Sequence, residues 1–183
     1  MPKYLLAACL LGFVDTRLKL PYSDLTISEL AIAGNAWTEY KRYVNEVEMM
    51  LRVSGSVATD DVAYFAPSLR RWQTRASDLE VELEGKVDHF DARINRAKIG
   101  DHTSLRAMGL VTGLPDWRKA HFDIRLTDMQ TTSDEAARLA QNIAGVKLSP
   151  ALRTMLRRTE WMDLAGHFDG TFAGFDSQLD RGE

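Results

Sequence analysis

The chain has one cysteine, Cys9, which excludes an intramolecular disulfide and any zinc site built on cysteines. Without a covalent staple the fold must rest on packing, and cysteine usage leaves the compartment open. No charge sign dominates either: 23 Lys and Arg stand against 26 Asp and Glu. Such a balance gives no field that draws nucleic acid, whose affinity comes from cations neutralising phosphates. The longest apolar stretch, Tyr4 to Val14, is too short to cross a bilayer as a helix, so no stable membrane span is expected. No Gly-x-Ser-x-Gly elbow, phosphate loop or His-Glu-x-x-His occurs, so nothing points to catalysis or to a cofactor.

What is present fits one domain. A length of 183 residues with 45% apolar and 27% charged residues is enough for one sizeable core and short for two. Met1-Pro2-Lys3 followed by the Tyr4 to Val14 run suits a signal peptide, although no small-x-small cleavage site follows. The alternative for residues 1–20 is an apolar first helix. Residues 21–166 then form the domain, and 167–183, with scattered glycines, a C-terminal tail.

Helical spacing organises the rest. From Ser68 to Lys98, the residues Leu69, Trp72, Ala76, Leu79, Leu83, Val87, Phe90, Ile94 and Ala97 recur at gaps of three and four, as one stripe of a long helix does. Leu30, Ala33, Trp37, Tyr40, Val44, Val47 and Leu51 repeat the pattern over Ile27 to Val53. Shorter helices are expected at Asp61 to Phe65, Ser104 to Val111, Leu114 to Met129 and Ala151 to Leu164. One more should run from a Thr132 cap to Ala144, with Glu135 reaching back to the cap. No segment shows clean period-two alternation bounded by hairpin turns, so the expected fold is all-α: a helical bundle on two long antiparallel helices plus three or four shorter ones.

Two features invite chemistry. His89-Phe90-Asp91, His121-Phe122-Asp123 and His167-Phe168-Asp169 repeat one tripeptide. Residues two apart on a helix point away from each other, so a metal would need histidines from separate helices; no metal site is assigned. The long stripe is basic at both ends, with Arg70, Arg71 and Arg75 at one and Arg93, Arg96 and Lys98 at the other, around an acidic middle. That pattern suits a solvated face with ion pairs, or cationic patches for an anionic partner.

Leu51-Arg52-Val53-x-Gly55, Tyr64-Phe65, Arg70-Arg71-Trp72-Gln73-Thr74, Asp91-Ala92 and Gly100-Asp101-His102-Thr103-x-Leu105 follow in an order that resembles the abalone sperm lysin family. The resemblance covers less than a third of the chain. It implies a secreted acrosomal helical bundle that loosens the egg envelope without enzymatic turnover, by binding an envelope glycoprotein in gamete recognition. The partner-binding residues would be Arg52, Arg70, Arg71 and Trp72, with Arg75 and Arg96 added as neighbouring cations. Lysins are strongly basic and this chain is mildly acidic, which points to a paralogue with an altered partner. An intracellular helical adaptor, or a subunit of a helical assembly with a possible homodimer, is the other expectation; its location would be cytoplasmic.

Overall fold

A computed structural model describes residues 9–34, 36–64, 67, 70, 73–116, 119–144, 161–171 and 174–182. Strands, not helices, dominate it. β1 (Cys9–Lys19), β2 (Asp24–Gly34), β3 (Glu48–Ala58), β4 (Arg75–Lys86), β5 (His89–Ile99), β6 (Thr103–Thr112), β7 (His121–Thr131), β8 (Met162–Thr171) and β9 (Gly174–Gly182) form one antiparallel sheet in sequence order. Among the described residues the helical elements are α1 (Tyr43–Glu46), α2 (Thr59–Val62), α3 (Ser133–Ala144) and a 3-10 turn at Trp37–Arg42.

The all-α helical bundle is therefore overturned. The supposed helix from Ser68 to Lys98 contains the β4–β5 hairpin, closed where Lys86 faces His89. The second supposed helix is β2, the connection through α1, and β3. Segments expected as helices at Ser104 to Val111 and Leu114 to Met129 carry β6 and most of β7, and the supposed tail carries β8 and β9. Cys9–Lys19 is the sheet's first strand, and of the helix expected at Ala151 to Leu164 residues 151–160 lie outside the described residues. α3 and the turn of α2 stand where helix was expected, and within Ile27 to Val53 only the 3-10 turn and α1 are helical.

The misreading has a definite cause. A gap of four is two strand repeats as well as about one helical turn, so Leu79 to Leu83 and Phe90 to Ile94 fit either period. Gaps of three arise where a β-bulge inserts one residue and resets the alternation. Register shifts lie between Ser77 and Glu80, between Ile94 and Ala97, and between Leu126 and Met129. Another falls between Ile27 and Glu29. At the first of these, Asp78 takes φ 50, a left-handed conformation that aspartate tolerates better than most residues. Between bulges the period of two is plain: Leu79-Glu80-Val81-Glu82-Leu83-Glu84 alternates without a fault.

Candidate binding face

The pairing register sorts the strands into two faces. On one, Leu30, Leu51, Leu83 and Ala92 stand side by side across β2 to β5. Beside them runs Val53, Val81, Ile94, Ala107, Leu126 and Gly166. Phe90, Val111 and Phe122 form a third row toward one end. β1 extends this face with Leu11, Phe13 and Leu18, paired to Ile32, Leu30 and Leu25. The surface is aliphatic and continuous. At about 4.8 Å per strand step the eight strands from β1 to β8 span roughly 34 Å.

Few of these side chains are buried. Among the described residues the buried apolar set consists mostly of alanines, with Val47 and Phe90, whereas the leucines, isoleucines and valines of β2 to β7 are half-buried. Phe13 on β1 is 57% exposed. Contacts run chiefly from each strand to the next, so no second layer covers the face among the described residues. Ala97 and Ala107 are buried on this face. Gly109 shares it, and a Cβ there would run into the Asp123 carbonyl oxygen.

The opposite face is charged and paired across strands. Arg52 bridges Glu29 at 2.6 Å and Glu82 at 3.7 Å, and Arg93 approaches Glu82 at 3.9 Å. Arg96 reaches Asp78 at 3.2 Å and Glu80 at 3.9 Å, and Lys98 reaches Asp78 at 3.7 Å. At the first hairpin Arg17 holds the Asp24 carboxyl below its ordinary range by a side-chain hydrogen bond. These groups are substantially exposed, so solvent screening leaves each pair only a small contribution to stability.

The residues proposed from sequence to bind a partner divide accordingly. Arg52, Arg75 and Arg96 share the charged face; Arg52 and Arg96 are engaged in the ion pairs above, and Arg75 donates to Ser56 Oγ at 3.2 Å. Arg70 is exposed, and Arg71 and Trp72 lie outside the described residues. The three tripeptides are a strand's alternation written out, since Phe90, Phe122 and Phe168 belong to the apolar face and their flanking residues to the charged one. His167 Nε2 lies 2.5 Å from Asp123 Oδ1, and His121 Nε2 lies 3.5 Å from Asp169 Oδ1. His89 is separated from His121 by Thr112 of β6. Among the described residues no three His, Cys, Asp or Glu side chains are placed to hold a metal ion.

Two buried carboxylates tie the helices to strand turns. Asp61 of α2 accepts from Ser23 Oγ at 2.5 Å and from the Tyr22 N–H at 3.0 Å. Glu135 of α3 accepts from Thr103 Oγ1 at 2.6 Å and from the N–H groups of Asp101 and His102 at 3.0 and 3.1 Å. Burial pushes the Glu135 carboxyl up, but the Thr103 hydroxyl, the two N–H groups and His102 outweigh it and hold it below its ordinary value. The capping role expected for Glu135 is thus replaced by a long-range one.

No protein family matches this chain, and no curated protein or solved structure shows significant similarity to it.

Proposed function

We propose that the protein is a non-enzymatic binding scaffold whose aliphatic sheet face takes the hydrocarbon chains of an amphipathic lipid. The observation that carries this reading is the apolar face itself: continuous across the strands, half-exposed, and without a covering layer among the described residues. A patch of that extent marks a surface that meets another apolar phase. Its composition favours hydrocarbon over protein. Cores of protein interfaces are enriched in Tyr, Trp, Phe, Met and Arg, while the rows above hold mainly Leu, Ile, Val and Ala, with Phe the one aromatic type among them. A ligand without hydrogen-bonding groups loses nothing on such a surface, and each buried methylene contributes about 0.8 kcal/mol. The glycoprotein-binding reading rested on a resemblance, over Leu51 to Leu105, to a family whose implied fold is a helical bundle; this chain forms a sheet, and the ion pairs on its charged face engage Arg52 and Arg96 internally.

Binding of a fluorescent stearate analogue, displaced by palmitate, tests the reading. Saturable binding is expected, and Leu83→Asp, in the middle of the face, should abolish it while circular dichroism still reports a folded sheet. Absence of saturable binding in the unaltered protein, or undiminished binding by a folded Leu83→Asp variant, would overturn it.

A further inference from the structure

The sheet is built twice from one plan. β1 to β4 and β5 to β8 each consist of four antiparallel strands with a helix, α2 or α3, between the third and the fourth; the first unit has in addition the 3-10 turn and α1 between its second and third strands. In each unit the helix that follows the third strand sends a buried carboxylate, Asp61 or Glu135, to a hydroxyl at the start of the second strand, Ser23 or Thr103. The hairpins that leave the two units also correspond at a constant offset. Asp78-Leu79 and Gly85 of β4 match Asp163-Leu164 and Gly170 of β8, and Phe90-Asp91 of β5 matches Phe175-Asp176 of β9. Register and backbone agree. Gly85 at φ 136 faces Phe90 and Gly170 at φ 153 faces Phe175; Glu84 faces Asp91 and Asp169 faces Asp176; Lys86 faces His89 and Thr171 faces Gly174.

By this correspondence β1, β5 and β9 are three instances of one strand. β5 carries β4 on one edge and β6 on the other. β9 carries β8 on the first edge, and among the described residues no strand lies on the second. We infer that this second edge of β9 is a strand-accepting site, which takes an antiparallel segment of the β6 kind: aliphatic residues alternating with polar and basic ones. Main-chain hydrogen bonds would supply the affinity and the alternation the register, as in strand addition generally. The pattern is that of β6, in which Leu105, Ala107 and Val111 join the apolar rows while Arg106 points to the charged side. In β5 the bulge between Ile94 and Ala97 lies across from Arg106. The matching level of β9 holds the exposed Asp180 next to Arg181, and Asp180 is the acid that a basic residue at that place in the incoming strand would meet. A second copy docking β1 beside β9 with its apolar face on the same side does not reproduce the plan, because the first and ninth strands of an antiparallel meander run the same way and would then pair in parallel.

The probe is a synthetic peptide with the sequence of residues 103–112, added to the full chain. Hydrogen exchange of the amides of 174–182 should slow by about tenfold or more on saturation, with protection confined to β9. A peptide carrying Ala107→Pro and Met108→Pro should give none, because one of two adjacent residues directs its N–H to the partner strand whichever way the ladder is phased. Three results would overturn the inference: no slowing with the unaltered peptide, equal slowing with the proline peptide, or protection that falls on β1. Protection of β9 that rises with protein concentration in the absence of peptide would also overturn it, by assigning the edge to a second copy. None of these outcomes depends on lipid binding.

Discussion

Glu135 shows how one side chain holds a turn. Its two oxygens accept three hydrogen bonds from the β5–β6 connection, and its side chain is 5% exposed. Gly100 in that turn takes φ 66, and a Cβ there would lie 2.7 Å from Glu135 Oε1, so glycine serves both conformation and space. Bonds to a charged acceptor contribute more than neutral ones, and leaving the donors unsatisfied adds a cost. Glu135→Gln should therefore destabilise the fold by roughly 1 to 3 kcal/mol, measured by urea unfolding at neutral pH. The pH dependence follows from the lowered folded-state value. A carboxyl depressed on folding stabilises above its unfolded value, and the stability is lost as pH falls through the folded one. Stability of the unaltered protein should thus decline below about pH 4, and the Glu135→Gln variant should show a shallower decline; an identical slope would contradict the role.

At the scale of an element, the strands are set by alternation and shaped by bulges and glycines. The row Leu83, Ala92, Gly109, Ile124 and Phe168 places a residue without a side chain where β7 backbone lies close against β6. An added methyl would lie 2.1 Å from the Asp123 carbonyl oxygen and 2.7 Å from the Ile124 Cα; neither is the end of a flexible side chain that could move aside. Gly109→Ala should cost about 1 to 3 kcal/mol through backbone displacement. Met108→Ala, one residue away on the charged face and 45% exposed, should stay within about 0.5 kcal/mol. Paired thermal melts check both, and a neutral Gly109→Ala would mean that β6 and β7 separate at no cost.

Across the whole molecule, a sheet with one charged and one aliphatic face is incompletely satisfied in water, since its apolar side chains remain half-exposed. A ligand that binds only the folded sheet stabilises it by mass action, by about 2.7 kcal/mol at a hundredfold excess over Kd. Palmitate should raise the melting midpoint in a concentration-dependent manner in the unaltered protein and leave a folded Leu83→Asp variant unmoved; no shift at saturating palmitate would count against the lipid reading.

The candidate face was partly legible in the residues. Leu79, Val81 and Leu83 alternate with Glu80, Glu82 and Glu84, and each His-Phe-Asp repeat carries the same polar, apolar, polar order. The helix at Ser133–Ala144 was legible too, because a run of good helix formers after Thr132 has no competing period. The partner of Glu135 was not, since its bonds join residues more than thirty positions apart and no local rule links them. By itself the sequence determined a staple-free chain with balanced charge and a two-sided distribution of apolar and charged residues. The tertiary structure alone decided which period those residues follow. Spacings of four serve strand and helix alike, bulges convert two into three, and only cross-strand pairing, made between distant segments, settles which ladder closes the backbone hydrogen bonds.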